Sequence, residues 1–119
     1  MRPVATVPAR RLLPRRRVGR MLRVMPKARH IEDCARLEDL PNVGPSIAGD
    51  LRRLGIVAPR DLRGRDPLAL YHALCRATGT RQDPCVLDTF IAAVRFAEGG
   101  PALPWWAHTA ERKLRHPDL

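Results

Sequence analysis

The run Glu38-Asp39-Leu40-Pro41-Asn42-Val43-Gly44-Pro45-Ser46-Ile47-Ala48-Gly49-Asp50-Leu51-Arg52-Arg53-Leu54-Gly55-Ile56 constrains this chain more than any other stretch of it. Pro45 suits the first position of a helix, where the missing N–H costs nothing, and Gly44 before it can take backbone angles closed to other residues. The pattern predicts a helix ending at Leu40, a tight Pro41-Asn42-Val43-Gly44 hairpin, and a second helix opening at Pro45 and closing at Gly55. Ile47, Ala48, Leu51 and Leu54 share one face at helical spacing and should pack on the preceding helix. Gly55 stands where a left-handed cap belongs, with Ile56 placed to fold back onto the last turn. Together these signals spell a helix-hairpin-helix.

The chemistry of such a unit lies at the start of its second helix. The first N–H groups of a helix have no partner inside it, and the helix dipole adds partial positive charge at that end, so a phosphate oxygen can bind there. The candidate DNA-binding residues are therefore Asn42, Val43, Gly44, Pro45, Ser46 and Ile47, with Arg52 and Arg53 following closely. The competing reading is a plain pair of helices whose Gly-Pro turn serves packing alone.

Charge is divided unevenly along the 119 residues. Residues 1 to 29 hold ten of the 22 basic side chains and none of the 12 acidic ones, which leaves residues 30 to 119 with 12 of each. Nonspecific DNA affinity comes mainly from counterion release, so a neutral domain draws little from that source unless Arg52, Arg53, Arg60, Arg63 and Arg65 cluster on one surface. The opposing expectation pairs those arginines with Asp50, Asp61 and Asp66 on a solvated face. The basic stretch carries Pro3, Pro8, Pro14 and Pro26 without apolar periodicity, and is expected to be a disordered arm over residues 1–29. A targeting peptide and a misassigned start, with Met21 or Met25 as the first residue, are the other readings of it. No apolar run approaches the length of about 20 residues needed to cross a bilayer. Cys34, Cys75 and Cys85, an odd number without a secretory signal, fit reduced thiols and a cytoplasmic protein.

The remaining punctuation is all helical. Asp61-Leu62 after Pro59 predicts one short turn that drops Leu62 into the core. Asp66-Pro67 and Asp83-Pro84 each read as N-cap plus first helical residue, opening helices that run to about Thr78 and Glu98. In the second of these, Val86, Leu87, Phe90, Ile91, Ala93, Val94 and Ala97 form the buried stripe, and Asp88, Ala92 and Arg95 are left as the wet face. Pro104-Trp105-Trp106 introduces a last helical stretch to about Arg115. No segment alternates with the period of a strand. The expected class is all-α, about five helices, with one domain over residues 30–115.

The hairpin run, with Leu54-Gly55-Ile56, Asp61-Leu62, Asp66-Pro67, Leu70-Tyr71, Leu74-Cys75, Gly79, Asp83-Pro84-Cys85-Val86-Leu87-Asp88 and Ala93-Val94, closely resembles the bacterial pathogenicity locus family. Members also carry the labels helix-hairpin-helix domain protein and mitomycin resistance protein. Over the hairpin alone the chain is also similar to the C-terminal domain of TfoX-type competence regulators. The resemblance implies that the amides of Asn42, Gly44 and Ile47 hold a phosphate. It also implies that the carbonyls of Leu40 and Val43 hold a monovalent cation between protein and DNA. Asn42 stands where Gly is common, and Ser46 where Lys often adds a charge; Asn tolerates the left-handed backbone, so the turn survives.

An enzyme is the less favoured outcome. Some repair enzymes of this kind use a lysine nucleophile beside the hairpin, but the lysines here are Lys27 in the tail and Lys113 near the end. Asp66, Asp83 and Asp88 have structural explanations. His72, Cys75 and Cys85 could supply three metal ligands, without the usual zinc spacing. Cys85 at a helix N-terminus could be a low-pKa thiol, although packing of Cys75 against Cys85 is the simpler reading. Trp105-Trp106, near His108, Arg112 and Arg115, could stack bases, or one indole could seal the core. The expected function is DNA binding without sequence preference, in repair or damage tolerance. The rivals are a protein-interaction module and a thiol enzyme using Cys85.

Overall fold

Three of the α-helices begin on a proline, and each proline is preceded by the residue that caps it. The structure, a computed structural model, describes residues 27–119. It contains α1 (Pro45–Arg53), α2 (Pro67–Thr78), α3 (Pro84–Ala97) and α4 (Thr109–Arg115), joined by 3-10 turns at Ile31–Asp33, Leu37–Asp39, Pro59–Leu62 and Trp105–His108. No strand occurs among the described residues, and the class is all-α. No helix among them is long and apolar enough to cross a membrane. The arm expected over residues 1–29 lies outside the described residues except for Lys27, Ala28 and Arg29. The first two of these are part of the fold: the Ala28 N–H donates to the Asp39 carbonyl at 3.2 Å.

The caps explain where the helices start and stop. The Asp66 carboxylate accepts from the Leu68 N–H at 3.0 Å and that of Asp83 from the Cys85 N–H at 2.8 Å, each satisfying an orphan amide of the first turn. At the end of α1, Gly55 is left-handed with φ 89°, and the N–H of the buried Ile56 returns to the Leu51 carbonyl at 2.9 Å.

The helix expected to end at Leu40 is not formed. In its place stand the two turns Ile31–Asp33 and Leu37–Asp39. The Asp39 carboxylate accepts the N–H groups of both Ala35 and Arg36 at 2.9 Å, which ties the chain into one tight turn entered from an extended Arg36. The device recurs 22 residues later, where Asp61 accepts from Val57 and Ala58 and Leu62 follows as Leu40 follows Asp39. Both leucines are fully buried. The two Asp-Leu turns thus pin the connections on either side of α1 to the core.

Helix α3 is the centre of that core, packed against α2, α4 and the turns Pro59–Leu62 and Trp105–His108. Phe90, Phe96, Leu87 and Ala93 are buried on it, with Tyr71 and Leu74 of α2 and Leu51 of α1 around them. Its expected wet face is corrected. Asp88 is fully buried and Ala92 nearly so, because the C-terminal segment folds back over them. Arg112 of α4 places its guanidinium on the Asp88 carboxylate at 2.9 and 3.3 Å, and the Thr109 hydroxyl donates to it at 2.8 Å. Arg95 stays on the surface, paired with Glu111.

Candidate nucleic-acid interface

Between the Leu37–Asp39 turn and α1 the chain reverses over Pro41 to Gly44. Asn42 is the residue in the left-handed region, φ 68°, and among the described residues it is the non-glycine with positive φ. Its side chain secures the bend from outside: Nδ2 donates to the Leu103 carbonyl at 2.8 Å, and Oδ1 accepts the Trp105 N–H at 3.3 Å. The last helical stretch is thereby bound to the bend.

Gly44 plays a different part from the one expected. Its φ of −97° and ψ of −172° lie in extended backbone open to any residue. A Cβ built there would meet nothing within 4 Å. The glycine is therefore not required by strain or by packing inside the protein; it keeps the space in front of α1 clear. Val43 is fully buried, while Pro45 and Ser46 are exposed and Ile47 is half-buried.

Several backbone donors at this end are left without a partner among the described residues. The Val43 N–H donates to the Leu40 carbonyl at 3.2 Å, and the helix ladder begins with Ala48 to Gly44 at 2.9 Å. Gly44, as the capping residue, offers no side-chain acceptor. The N–H groups of Asn42, Gly44, Ser46 and Ile47 have no acceptor among the described residues. An anion arriving here meets unpaired donors at the positive end of a helix dipole.

Lys27 is the residue that sequence reasoning placed in the tail and the fold places at the bend. Its ammonium donates to the carbonyls of Glu38 and Val43, the second at 2.9 Å. Lys27 thus stands against one of the two carbonyls, those of Leu40 and Val43, at which the resemblance places a monovalent cation. The Val43 oxygen already holds the ammonium, and the Leu40 oxygen accepts from Val43. No local pattern announces this contact, since 16 residues separate the partners.

The arginines divide. Arg52 makes a two-pronged pair with Glu38 at 3.0 and 2.8 Å, and that guanidinium, with help from backbone N–H donation, draws the Glu38 carboxyl down to about 2. Arg53 is exposed and free of ion pairs among the described residues. Arg63 donates to the Ala97 carbonyl at 2.7 Å. Asp61 and Asp66 are occupied as backbone caps, so the expected Arg–Asp face does not form among the described residues.

No group of three His, Cys, Asp or Glu side chains that could hold a metal converges among the described residues. The Cys85 thiol is pushed up, first by burial and then by the neighbouring Asp83, opposite in direction to the low-pKa alternative. Cys75 accepts the Gln82 N–H on its sulfur at 3.4 Å. His108 and Arg112 are buried and unavailable to a base. Trp105 and Trp106 meet edge to face with centroids 5.5 Å apart, and Trp106 is 64% exposed.

Residues 30–114 match the family model described as pathogenicity locus. A mitomycin resistance protein, McrB, of Streptomyces lavendulae is 51% identical over 81 residues, which cover 68% of this chain and 77% of that relative. No solved structure matches the chain.

Proposed function

We propose that this chain, which belongs to the pathogenicity locus family, binds the phosphate backbone of DNA without sequence preference through the bend and helix start at Pro41–Ile47, the second half of the helix-hairpin-helix pattern. The observation that carries the reading is the set of unpaired amides at the start of α1, in front of a glycine whose missing side chain leaves the approach open. Phosphate contacts of this kind fix position without reading bases. The mitomycin resistance named for the relative fits a role in tolerating or repairing damaged DNA.

Glu38 tempers this surface, because it holds Arg52 and adds a negative charge beside the bend. Replacing Glu38 with Gln should release Arg52 toward a phosphate. Fluorescence anisotropy of the full chain with a labelled duplex, at several salt concentrations, should show tighter binding at low salt. The slope of log affinity against log salt should steepen by about 0.9, the contribution of one neutralised phosphate. An unchanged slope and affinity would place the binding away from the bend and remove support for the hairpin reading.

A second reading, a protein-interaction module, is favoured by Leu103 and Trp106, 42% and 64% exposed next to the segment that Asn42 holds. In that case Trp106→Ala should leave duplex binding and single-strand binding alike. A base stacked on the indole would instead make single-strand affinity fall by roughly 1–3 kcal/mol.

A further inference from the structure

We propose that the Lys27 ammonium is a tethered cation seated on the carbonyl side of the Pro41–Gly44 bend, so that this chain carries there what would otherwise be a free monovalent ion. Two backbone carbonyls separated by the bend, those of Glu38 and Val43, converge on its Nζ. Oxygens gathered on one point in this way select a cation, and an ammonium with three donors serves as well as a metal ion. Two of those donors are used on Glu38 and Val43; the third has no acceptor among the described residues.

The amine is delivered by the fold rather than by a wandering chain. Ala28, its neighbour, donates its N–H to the Asp39 carbonyl at 3.2 Å and packs against the core. The position also matters for the amides across the bend. In a trans peptide the carbonyl and the next N–H point to opposite sides, so the charge on the Val43 oxygen lies behind the Gly44 N–H and polarises it as a donor. Lys27 is thus a positioning residue. It tightens the bend and strengthens one of the unpaired donors.

Two measurements on the full chain test this, and the first is independent of DNA. Timed labelling with an amine-reactive ester, read by peptide mass spectrometry, should modify Lys27 roughly tenfold more slowly than Lys113, which is exposed as Lys27 is but has no hydrogen-bond acceptor among the described residues, about what one charge-assisted hydrogen bond protects. Equal rates would overturn the seat. The second rests on the DNA reading above. Duplex affinity of the unmodified chain should be the same in potassium chloride and tetramethylammonium chloride at equal ionic strength. Lys27→Met should bind severalfold more weakly in tetramethylammonium and recover in potassium or ammonium chloride, which refill the carbonyls. A preference of the unmodified chain for potassium would overturn the proposal. A chain that binds no duplex in either salt would sink the DNA reading, and labelling would still decide the seat.

Discussion

Replacing Arg112 with Ala should destabilise the protein by about 3–5 kcal/mol, the cost of leaving a buried carboxylate without its counter-charge. Asp88 is fully buried and Arg112 nearly so, and the pair is held by two guanidinium hydrogen bonds with a third from Thr109. On a domain of this size such a loss lowers Tm by roughly 12 °C or more, well outside the error of a thermal melt followed by circular dichroism. Arg112→Lys should cost less, because it keeps the charge and gives up only the planar fork. Replacing both partners, Asp88→Leu with Arg112→Met, should recover most of the loss, because no lone buried charge remains. Equal destabilisation by the single and double variants would mean that packing, not charge, holds the helix. The consequence extends beyond α4. The stretch that Arg112 pins begins at the residues gripped by Asn42, so its detachment should loosen the bend and weaken the proposed DNA binding as well.

That coupling explains which parts of the fold could be read from the sequence. Local signals were sufficient for α1, α2 and α3, since Gly44-Pro45, Asp66-Pro67 and Asp83-Pro84 each combine a cap with a first helical residue. Gly55 and Gly79 mark ends in the same local way, with φ of 89° and 66°. All but one of the failures involve partners distant in sequence. Asp88 and Ala92 fall on the polar side of α3 by periodicity, yet a segment some twenty residues onward covers them. A hydrophobic stripe indicates the face that must be buried, but not whether a second layer will cover the other. Lys27 was hidden for the same reason, as was the Glu38 partner of Arg52. The missing first helix is a different case: Glu38 and Leu40 are consistent with a helix, and only the capture of two amides by Asp39 resolves the segment into a 3-10 turn. The unpaired amides at the start of α1 were legible because they follow from backbone geometry at a Gly-Pro step.

Gly44→Val is the sharpest test of the site, because the structure separates its effect on folding from its effect on binding. The backbone at Gly44 is ordinary extended conformation, and a Cβ there touches nothing, so the variant should fold with Tm within a few degrees of the unmodified chain. A β-branched residue also restricts the unfolded chain, which offsets part of any small strain. Its methyl groups would nevertheless stand in the space where a phosphate approaches the Gly44, Ser46 and Ile47 amides. Losing one amide–phosphate hydrogen bond to a charged oxygen costs about 1.5–3 kcal/mol, so affinity for duplex should fall by roughly ten- to a hundredfold. The basic residues of 1–29 are untouched by the change, and whatever nonspecific binding they supply should persist with its own salt slope. Asn42→Ala supplies the contrasting control. It removes the two hydrogen bonds to Leu103 and Trp105 and puts an unfavourable residue at φ 68°, so it should lower Tm measurably before it affects any ligand. A folded Gly44→Val chain that binds duplex as tightly as the original would show that the open end of α1 is not where DNA sits, and the glycine would then have no assigned role.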